Sequence, residues 1–159
     1  MLFQIRYFLS ATTHLILVFI SRAKDTDSFV DFINPENSTL YVSVVAEAEI
    51  ESLVLKNRWG AKRNDILHNF LDETNIVEVN QSYVNTYAQI DAYSQRVNPG
   101  FNSYPFDTPR NMGKNDLWIA SLAALLGLAL ITTDGDFDHL HNVFFPVRKI
   151  NPSQFQRFF

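Results

Sequence analysis

The apolar stretch at residues 115–137, NDLWIASLAALLGLALITTDGDF, limits the folds open to this chain more than any other feature. Its uncharged part, residues 117–131, is shorter than the roughly 20 residues that a membrane-spanning helix needs. Before Gly127 the apolar residues cover most of a helical surface, and after it LALITTD is typical of a short buried strand. We therefore expect a helix that stops at Gly127 and a buried strand that follows, and no membrane span.

An acidic residue opens the predicted helix, and two more follow the end of the predicted strand. Asp116 opens the predicted helix, where the helix macrodipole favours an anion. Asp134 lies just past the C-terminal end of the predicted strand, and Asp136 follows two residues later. Because ligands bind at the C-terminal edge of open parallel α/β sheets, these positions predict a functional site at that edge.

Segments typical of strands and helices alternate along the rest of the chain. The predicted strands lie at residues 3–9, within 34–45, and at 75–79, 128–134 and 143–150. The predicted helices lie at residues 14–22, 46–57, 61–73, 81–97 and 116–127. A repeated strand-then-helix order is typical of α/β proteins. We predict an α/β/α sandwich with a central, mostly parallel sheet, formed by residues 1–159 as one domain.

Charge and composition exclude several classes of protein. The formal net charge of −4 provides no general attraction to nucleic acid, so such binding needs a local basic patch. The absence of cysteine excludes disulfides and thiol catalysis. Residues 1–24 superficially resemble a signal peptide. However, Ser10, Thr12, Thr13 and His14 interrupt their apolar run and better suit a strand that ends at a polar site, so we expect a cytoplasmic protein.

Three carboxylates are candidates for one site: Glu49, on the helix after the second strand, Asp116 and Asp134. Each alone has an ordinary explanation, as a solvated helix residue, a helix cap and a turn residue respectively. Together at one sheet edge they would repel one another unless they were protonated or shared a cation. Oxygen ligands select Mg²⁺ or Mn²⁺ over zinc, and such an ion promotes attack by water on a phosphodiester. The three acids therefore predict phosphoryl hydrolysis.

Four motifs resemble those of the PIN-domain nucleases, especially the VapC-type toxins of bacterial toxin–antitoxin pairs. The motifs are LSATTHLIL, SVVAEAEI, NDLWIAS and TTDGDF, and the last two together are specific. The resemblance covers nearly the whole chain. It implies a Mg²⁺- or Mn²⁺-dependent endoribonuclease whose metal ligands correspond to Glu49, Asp116 and Asp134, with Asp136 as a catalytic helper.

The first motif departs from the family pattern. Ala11 stands where the family has its first Asp, directly before Thr12, and Thr13 stands where Asn is frequent. Alanine cannot bind a metal ion, so we expect weakened metal binding and little or no cleavage. A natural pseudoenzyme and a deliberate inactivating substitution both explain Ala11, and the intact remaining acids favour the second.

Basic residues near the acids are candidates for RNA binding. Arg110 and Lys114 lie in the loop that leads to Asp116 and are the preferred pair. A second basic group is either an RNA contact or a solvated connection between helices: Lys56, Arg58, Lys62 and Arg63. The family resemblance also implies a homodimer and a small antitoxin protein as partners.

Other residues are assigned structural roles. We expect His14 to be a packed polar residue beside the site, His139 and His141 to lie on a surface turn, and Trp59 and Trp118 to pack in the protein.

Two other functions compete with the nuclease. One is a catalytically dead pseudonuclease that binds RNA or an antitoxin. The other is a flavodoxin-like nucleotide-binding domain, which ranks last because the chain lacks a glycine-rich phosphate loop.

Overall fold

The computed structural model describes residues 9–22, 24 and 26–158. Its strands are β1 Leu9–Ala11, β2 Leu40–Ser43, β3 Asn75–Val77, β4 Ala129–Thr132 and β5 Val147–Lys149. They form one sheet in the order β3-β2-β1-β4-β5, and every neighbouring pair is parallel. Helices flank this sheet. The predicted α/β class with a central parallel sheet is therefore confirmed.

Six α-helices and three short 3₁₀ helices lie in the described part of the chain. The α-helices are α1 Thr13–Arg22, α2 Thr26–Ile33, α3 Val44–Lys56, α4 Ala61–Asp72, α5 Val84–Ser94 and α6 Lys114–Leu126. The 3₁₀ helices are Gln81–Tyr83, Gly135–Leu140 and Pro152–Phe158. Among these residues, none of the helices has the length and apolar character needed to cross a membrane.

The helix and strand predicted on either side of Gly127 are present. Helix α6 ends at Leu126, and Gly127 follows in the left-handed conformation with a φ of 66°. This conformation suits glycine because a side chain would be strained there. Strand β4 then runs through the core, where Leu130 and Ile131 have no exposed surface. The local signals at Gly127 were therefore sufficient to place both elements.

Some predicted boundaries differ from the structure. The described part of the first strand begins at Leu9, and residues 3–8 of the prediction lie outside the described residues. The last strand is only Val147–Lys149, because residues 142–144 form a turn and Pro146 has no N–H for the ladder. The helix predicted at 81–97 begins as a 3₁₀ turn and ends at Ser94.

Helix α2 and the 3₁₀ helix Pro152–Phe158 were not predicted. They pack against each other through aromatic rings, with the ring centroid of Phe29 4.9 Å from that of Phe155 and 5.7 Å from that of Phe158. Phe29 and Phe155 have no exposed surface. These elements depend on contacts between distant parts of the chain, which local sequence patterns do not reveal.

Candidate acidic active site

The C-terminal ends of the central strands β1 and β4 are linked by threonine side chains. Thr12, directly after β1, donates its hydroxyl to Oγ1 of Thr132 at 3.1 Å, and its N–H donates to the carbonyl of Ile131. Oγ1 of Thr132 also accepts the N–H of Asp134 at 3.0 Å. These bonds hold Asp134 at the edge of the sheet beside the end of β1.

A cavity of about 790 Å³ opens at this edge. Its polar wall contains Thr12, Thr13, His14, Glu49, Asn115, Asp116 and Asp134. Its apolar wall contains Leu17, Val45, Ala48, Leu53 and Phe137, and Ser52 and Lys56 complete the lining. The structure thus brings the three carboxylates predicted as metal ligands into one cavity, although they come from α3, α6 and the residues after β4.

Glu49 is held by side chains from two other helices. Its Oε2 accepts the hydroxyl of Thr13, the first residue of α1, at 2.5 Å. Its Oε1 accepts the amide Nδ2 of Asn115, in the first turn of α6, at 2.6 Å. Both oxygens of Glu49 therefore have a donor from the protein, and the carboxylate joins α1, α3 and α6 at the cavity.

Asp116 is the most perturbed acid of the site. It lies in the first turn of α6, whose N-cap Gly113 has no side chain to bond the helix end. Burial, followed by the negative charges of Asp134, Glu49 and Asp136 in that order, raises the pKa of Asp116 from 3.8 to about 6. Each of these three acids is therefore close enough to Asp116 to repel its carboxylate. Asp136 contributes to this field, although it does not line the cavity.

A divalent cation fits the cavity by the chemistry of its donors. The acids are hard oxygen donors, which Mg²⁺ and Mn²⁺ prefer, and their mutual repulsion would be relieved by a positive ion. However, within residues 9–22, 24 and 26–158 no three His, Asp or Glu side chains are grouped closely enough to hold one ion. The chemistry of the donors therefore suits a divalent cation, whereas the described acids do not form a ready ligand set.

Ala11, at the position of the missing family Asp, ends strand β1 opposite Ile131 of β4. It is only 1% exposed and does not line the cavity. Its methyl group contributes no oxygen to the site. Thr12 and Thr13, the next two residues of the motif, do line the cavity and both donate side-chain hydrogen bonds.

The basic residues of the site are arranged differently from the preferred prediction. Arg110 and Lys114 are exposed, and neither lines the cavity. The positive charge of Arg110 acts instead on buried His139, whose pKa it helps to lower. The lysine that lines the cavity is Lys56, at the end of α3. Whether Arg110 and Lys114 contact RNA stays a prediction.

The expectation that His139 lies on a surface turn is wrong. His139 is 8% exposed, and its Nε2 lies 2.7 Å from Oγ of buried Ser94. Burial, followed by the charge of Arg110, lowers the pKa of His139 to about 4. The aromatic rings of Phe106 and Tyr93 surround its imidazole, and this packing from distant segments explains the error. His141 is exposed, as expected.

Two further side chains belong to the site. His14 lines the cavity, as expected of a polar residue beside the site, and its Nδ1 is hydrogen-bonded to the hydroxyl of Thr133. It is exposed, however, so the expectation that it is packed is wrong. Asn115 was not singled out from the sequence, although it directly precedes Asp116. The sequence could have pointed to Asn115 only through its place directly before Asp116, and a residue that merely caps the helix would occupy the same place.

The parallel sheet and the acidic cavity at its C-terminal edge place the chain in a known class. The sequence profile of the PIN domain matches residues 12–142, so the chain belongs to the PIN domain family. The match begins at Thr12, one residue after Ala11. No curated protein matches the chain.

Several solved toxin–antitoxin complexes have a similar fold. VapBC2 from Rickettsia felis, solved with a DNA fragment of its promoter, matches with a TM-score of 0.69 and 19% identity over 89% of this chain and 98% of that chain. VapBC-1 from nontypeable Haemophilus influenzae matches at 0.67 and 18%, over 89% and 97%. VapBC-5 from Mycobacterium tuberculosis matches at 0.60 and 22%, over 90% and 98%. The resemblance inferred from the motifs is thereby confirmed at the level of the fold.

Proposed function

We propose that the chain is a VapC-type toxin, a Mg²⁺- or Mn²⁺-dependent endoribonuclease that is inactive or weakened in this form because Ala11 replaces the family Asp. The observation that carries the proposal is the acidic cavity itself. Glu49, Asp116 and Asp134 line it together, and burial, followed by the charges of Asp134 and Glu49, raises the pKa of Asp116. Membership of the PIN family supports the same activity.

In this proposal the residues of the cavity have separate roles. Glu49, Asp116 and Asp134 would hold the cation, and Asp136 adds to the negative field that attracts it. When bound, the cation would activate water and stabilise charge on the phosphoryl oxygens. Thr13 and Asn115 fix the orientation of Glu49.

The proposal includes the partners of a toxin. The similar structures are toxin–antitoxin complexes, so a small antitoxin protein that binds this chain is part of the proposal. A homodimer and a cytoplasmic RNA substrate belong to it as well. Arg110 and Lys114 would then bind the RNA backbone outside the cavity.

The decisive experiment is to restore the missing carboxylate. RNA cleavage by the chain and by its Ala11→Asp variant should be compared in Mg²⁺, in Mn²⁺ and in EDTA. We expect the variant to cleave in either metal and not in EDTA, and a further Asp116→Asn change to abolish that cleavage. A folded Ala11→Asp variant that cuts none of several single-stranded and structured RNAs would contradict the proposal.

A pseudonuclease that binds RNA or an antitoxin without cleaving is the second candidate. Two observations favour it: Ala11 provides no metal ligand, and the described acids are not grouped closely enough for one ion. The same experiment separates the two functions. RNA or antitoxin binding by a folded Ala11→Asp variant that cleaves nothing would favour the pseudonuclease.

A further inference from the structure

Helix α3 carries opposite charges at the two ends of one cavity wall. Glu49, Ser52 and Lys56 all line the cavity, and their spacing of three and four residues places them on one helix face. Glu49 and Lys56 are seven residues apart, which corresponds to about 10 Å along a helix axis. Glu49 and Lys56 therefore belong to the same cavity wall from positions about two helical turns apart.

The charge of Lys56 is free to bind an anion from outside. No carboxylate in the described part of the chain forms an ion pair with Lys56. The nearest candidate on its own helix face, Glu49, is bonded to Thr13 and Asn115 instead. Lys56 is also exposed, so its ammonium loses little hydration until a ligand arrives.

We infer that Lys56 binds an RNA phosphate, and that this phosphate belongs to a nucleotide next to the one that lies at the acidic centre. The inference rests on the proposed nuclease function and adds the position of a second phosphate. Because Lys56 and Glu49 start about 10 Å apart along α3, the ammonium can bind the neighbouring phosphate while another phosphate occupies the acidic centre. A point charge such as a lysine ammonium suits a phosphate of the backbone, whatever the base.

The lining between the two ends of the cavity indicates a single-stranded ligand. Leu53 lies between Glu49 and Lys56 on α3, and Leu17 and Val45 add apolar surface to the same cavity. A base can pack against such surface only when it is not stacked in a duplex. The strand thus crosses the cavity with its backbone contacts at both ends and a nucleoside between them.

RNA binding tests this inference without any need for cleavage. Fluorescence anisotropy would measure the affinity of the chain, with Ala11 in place and in EDTA, for a fluorescein-labelled 12-nucleotide oligouridylate. Lys56→Gln removes the charge, and Lys56→Arg keeps it. Lys24→Gln is the matched control, because Lys24 is exposed, forms no ion pair with any described residue and lies beside Phe158 rather than in the cavity. Circular dichroism would confirm that each variant is folded.

We expect Lys56→Gln to weaken binding about tenfold, since one hydrogen bond to a charged group is typically worth about that factor. The slope of log affinity against log salt should fall by about 0.7, as for one lost phosphate contact on a single strand. Lys56→Arg and Lys24→Gln should stay within about twofold of the parent chain. A duplex of the same length should compete poorly.

Equal affinities for Lys56→Gln and Lys24→Gln would overturn the inference, and so would an absence of oligouridylate binding by the parent chain. If Lys56→Gln weakened the binding of an acidic peptide but not that of oligouridylate, the inference would also be overturned, and Lys56 would be assigned to a protein partner. Cleavage by Ala11→Asp separates this result from the proposed function. If Ala11→Asp cleaves and Lys56→Gln leaves its KM unchanged, only the inference fails. If Ala11→Asp never cleaves while Lys56→Gln weakens RNA binding, only the nuclease function fails.

Discussion

Asn115 donates a hydrogen bond of 2.6 Å from its side-chain amide to Oε1 of Glu49, a residue 66 positions earlier in the chain. The next residue after Asn115 is Asp116, so one turn of α6 contributes both a carboxylate of the site and the donor that holds a second one. Thr13 occupies the other oxygen of Glu49. The relative positions of α1, α3 and α6 are therefore coupled through Glu49.

This coupling predicts that Asn115→Ala lowers the free energy of unfolding. The loss should be about 0.5–1 kcal/mol, because Asn115 is exposed and water can replace part of the bond. Asn69→Ala is a suitable control, since Asn69 is exposed on α4 and has no side-chain hydrogen bond in the described structure. Urea denaturation at pH 7 would measure both variants. Equal changes in the two would show that the bond to Glu49 contributes nothing.

Because the pKa of Asp116 is raised, we expect the free energy of unfolding to fall as the pH rises. Its pKa in the folded protein is about 6, above the ordinary value of 3.8, because of burial and the neighbouring acids. The folded state therefore binds the proton more tightly, and the stability present below about pH 4 is lost as the pH rises through 6. After allowance for solvent screening, the loss is about 1–2 kcal/mol.

Asp116→Asn should remove this loss. Relative to the parent chain, the variant should gain about 1–2 kcal/mol between pH 4 and pH 8, measured by urea denaturation at both values. Comparing the change at the two pH values removes any constant effect of the substitution on the start of α6. The same change in stability at both pH values would contradict the raised pKa.

His139 predicts the opposite dependence on pH. Its folded-state pKa of about 4 lies below the ordinary 6.5, because burial and then Arg110 disfavour the imidazolium. The unfolded state binds the proton more tightly, so the stability present above pH 6.5 is lost as the pH falls toward 4. This loss in the free energy of unfolding is about 2 kcal/mol, because the imidazole ring is largely buried.

His139→Gln keeps a polar side chain near Ser94 but does not titrate. We expect it to be less stable than the parent chain at pH 7, because the packing against Phe106 is lost. This deficit should shrink by about 2 kcal/mol at pH 4. A proton NMR titration of the parent chain would check the same pKa directly. An imidazole of His139 that titrates near pH 6.5 would contradict the buried environment.

The elements with strong local signals were predicted correctly. Helix α6 and strand β4 follow from apolar spacing and from Gly127, whose φ of 66° is a property of that single residue. The acids of the cavity follow from their places at the ends of such elements in a parallel sheet. The sequence therefore locates a functional residue when that residue lies at the end of a strand or helix with a strong local pattern.

The errors share a different cause, contacts between distant segments. Helix α2 is stabilised by Phe155 and Phe158 at the far end of the chain, and His139 is buried by rings from Tyr93 and Phe106. The bond from Asn115 to Glu49 joins two helices whose packing no local pattern specifies. Propensity and periodicity describe single elements, whereas these features arise only when the elements pack together.

Ala11→Asp should make stability dependent on divalent metal. Ala11 is 1% exposed and lies beside a cavity that already holds the charges of Asp116 and Asp134. A new carboxylate there should lower the free energy of unfolding by about 2 kcal/mol at pH 8 without metal, through burial and repulsion. Mn²⁺ at a hundred times its dissociation constant should restore about 2.7 kcal/mol. Ala11→Asn is the control, because asparagine has nearly the same shape as aspartate and carries no charge.

We expect thermal denaturation to show a rise in Tm with Mn²⁺ for the Asp variant and little rise for the Asn variant. If Mn²⁺ raises both equally, the ion binds elsewhere and the carboxylate at position 11 is not one of its ligands.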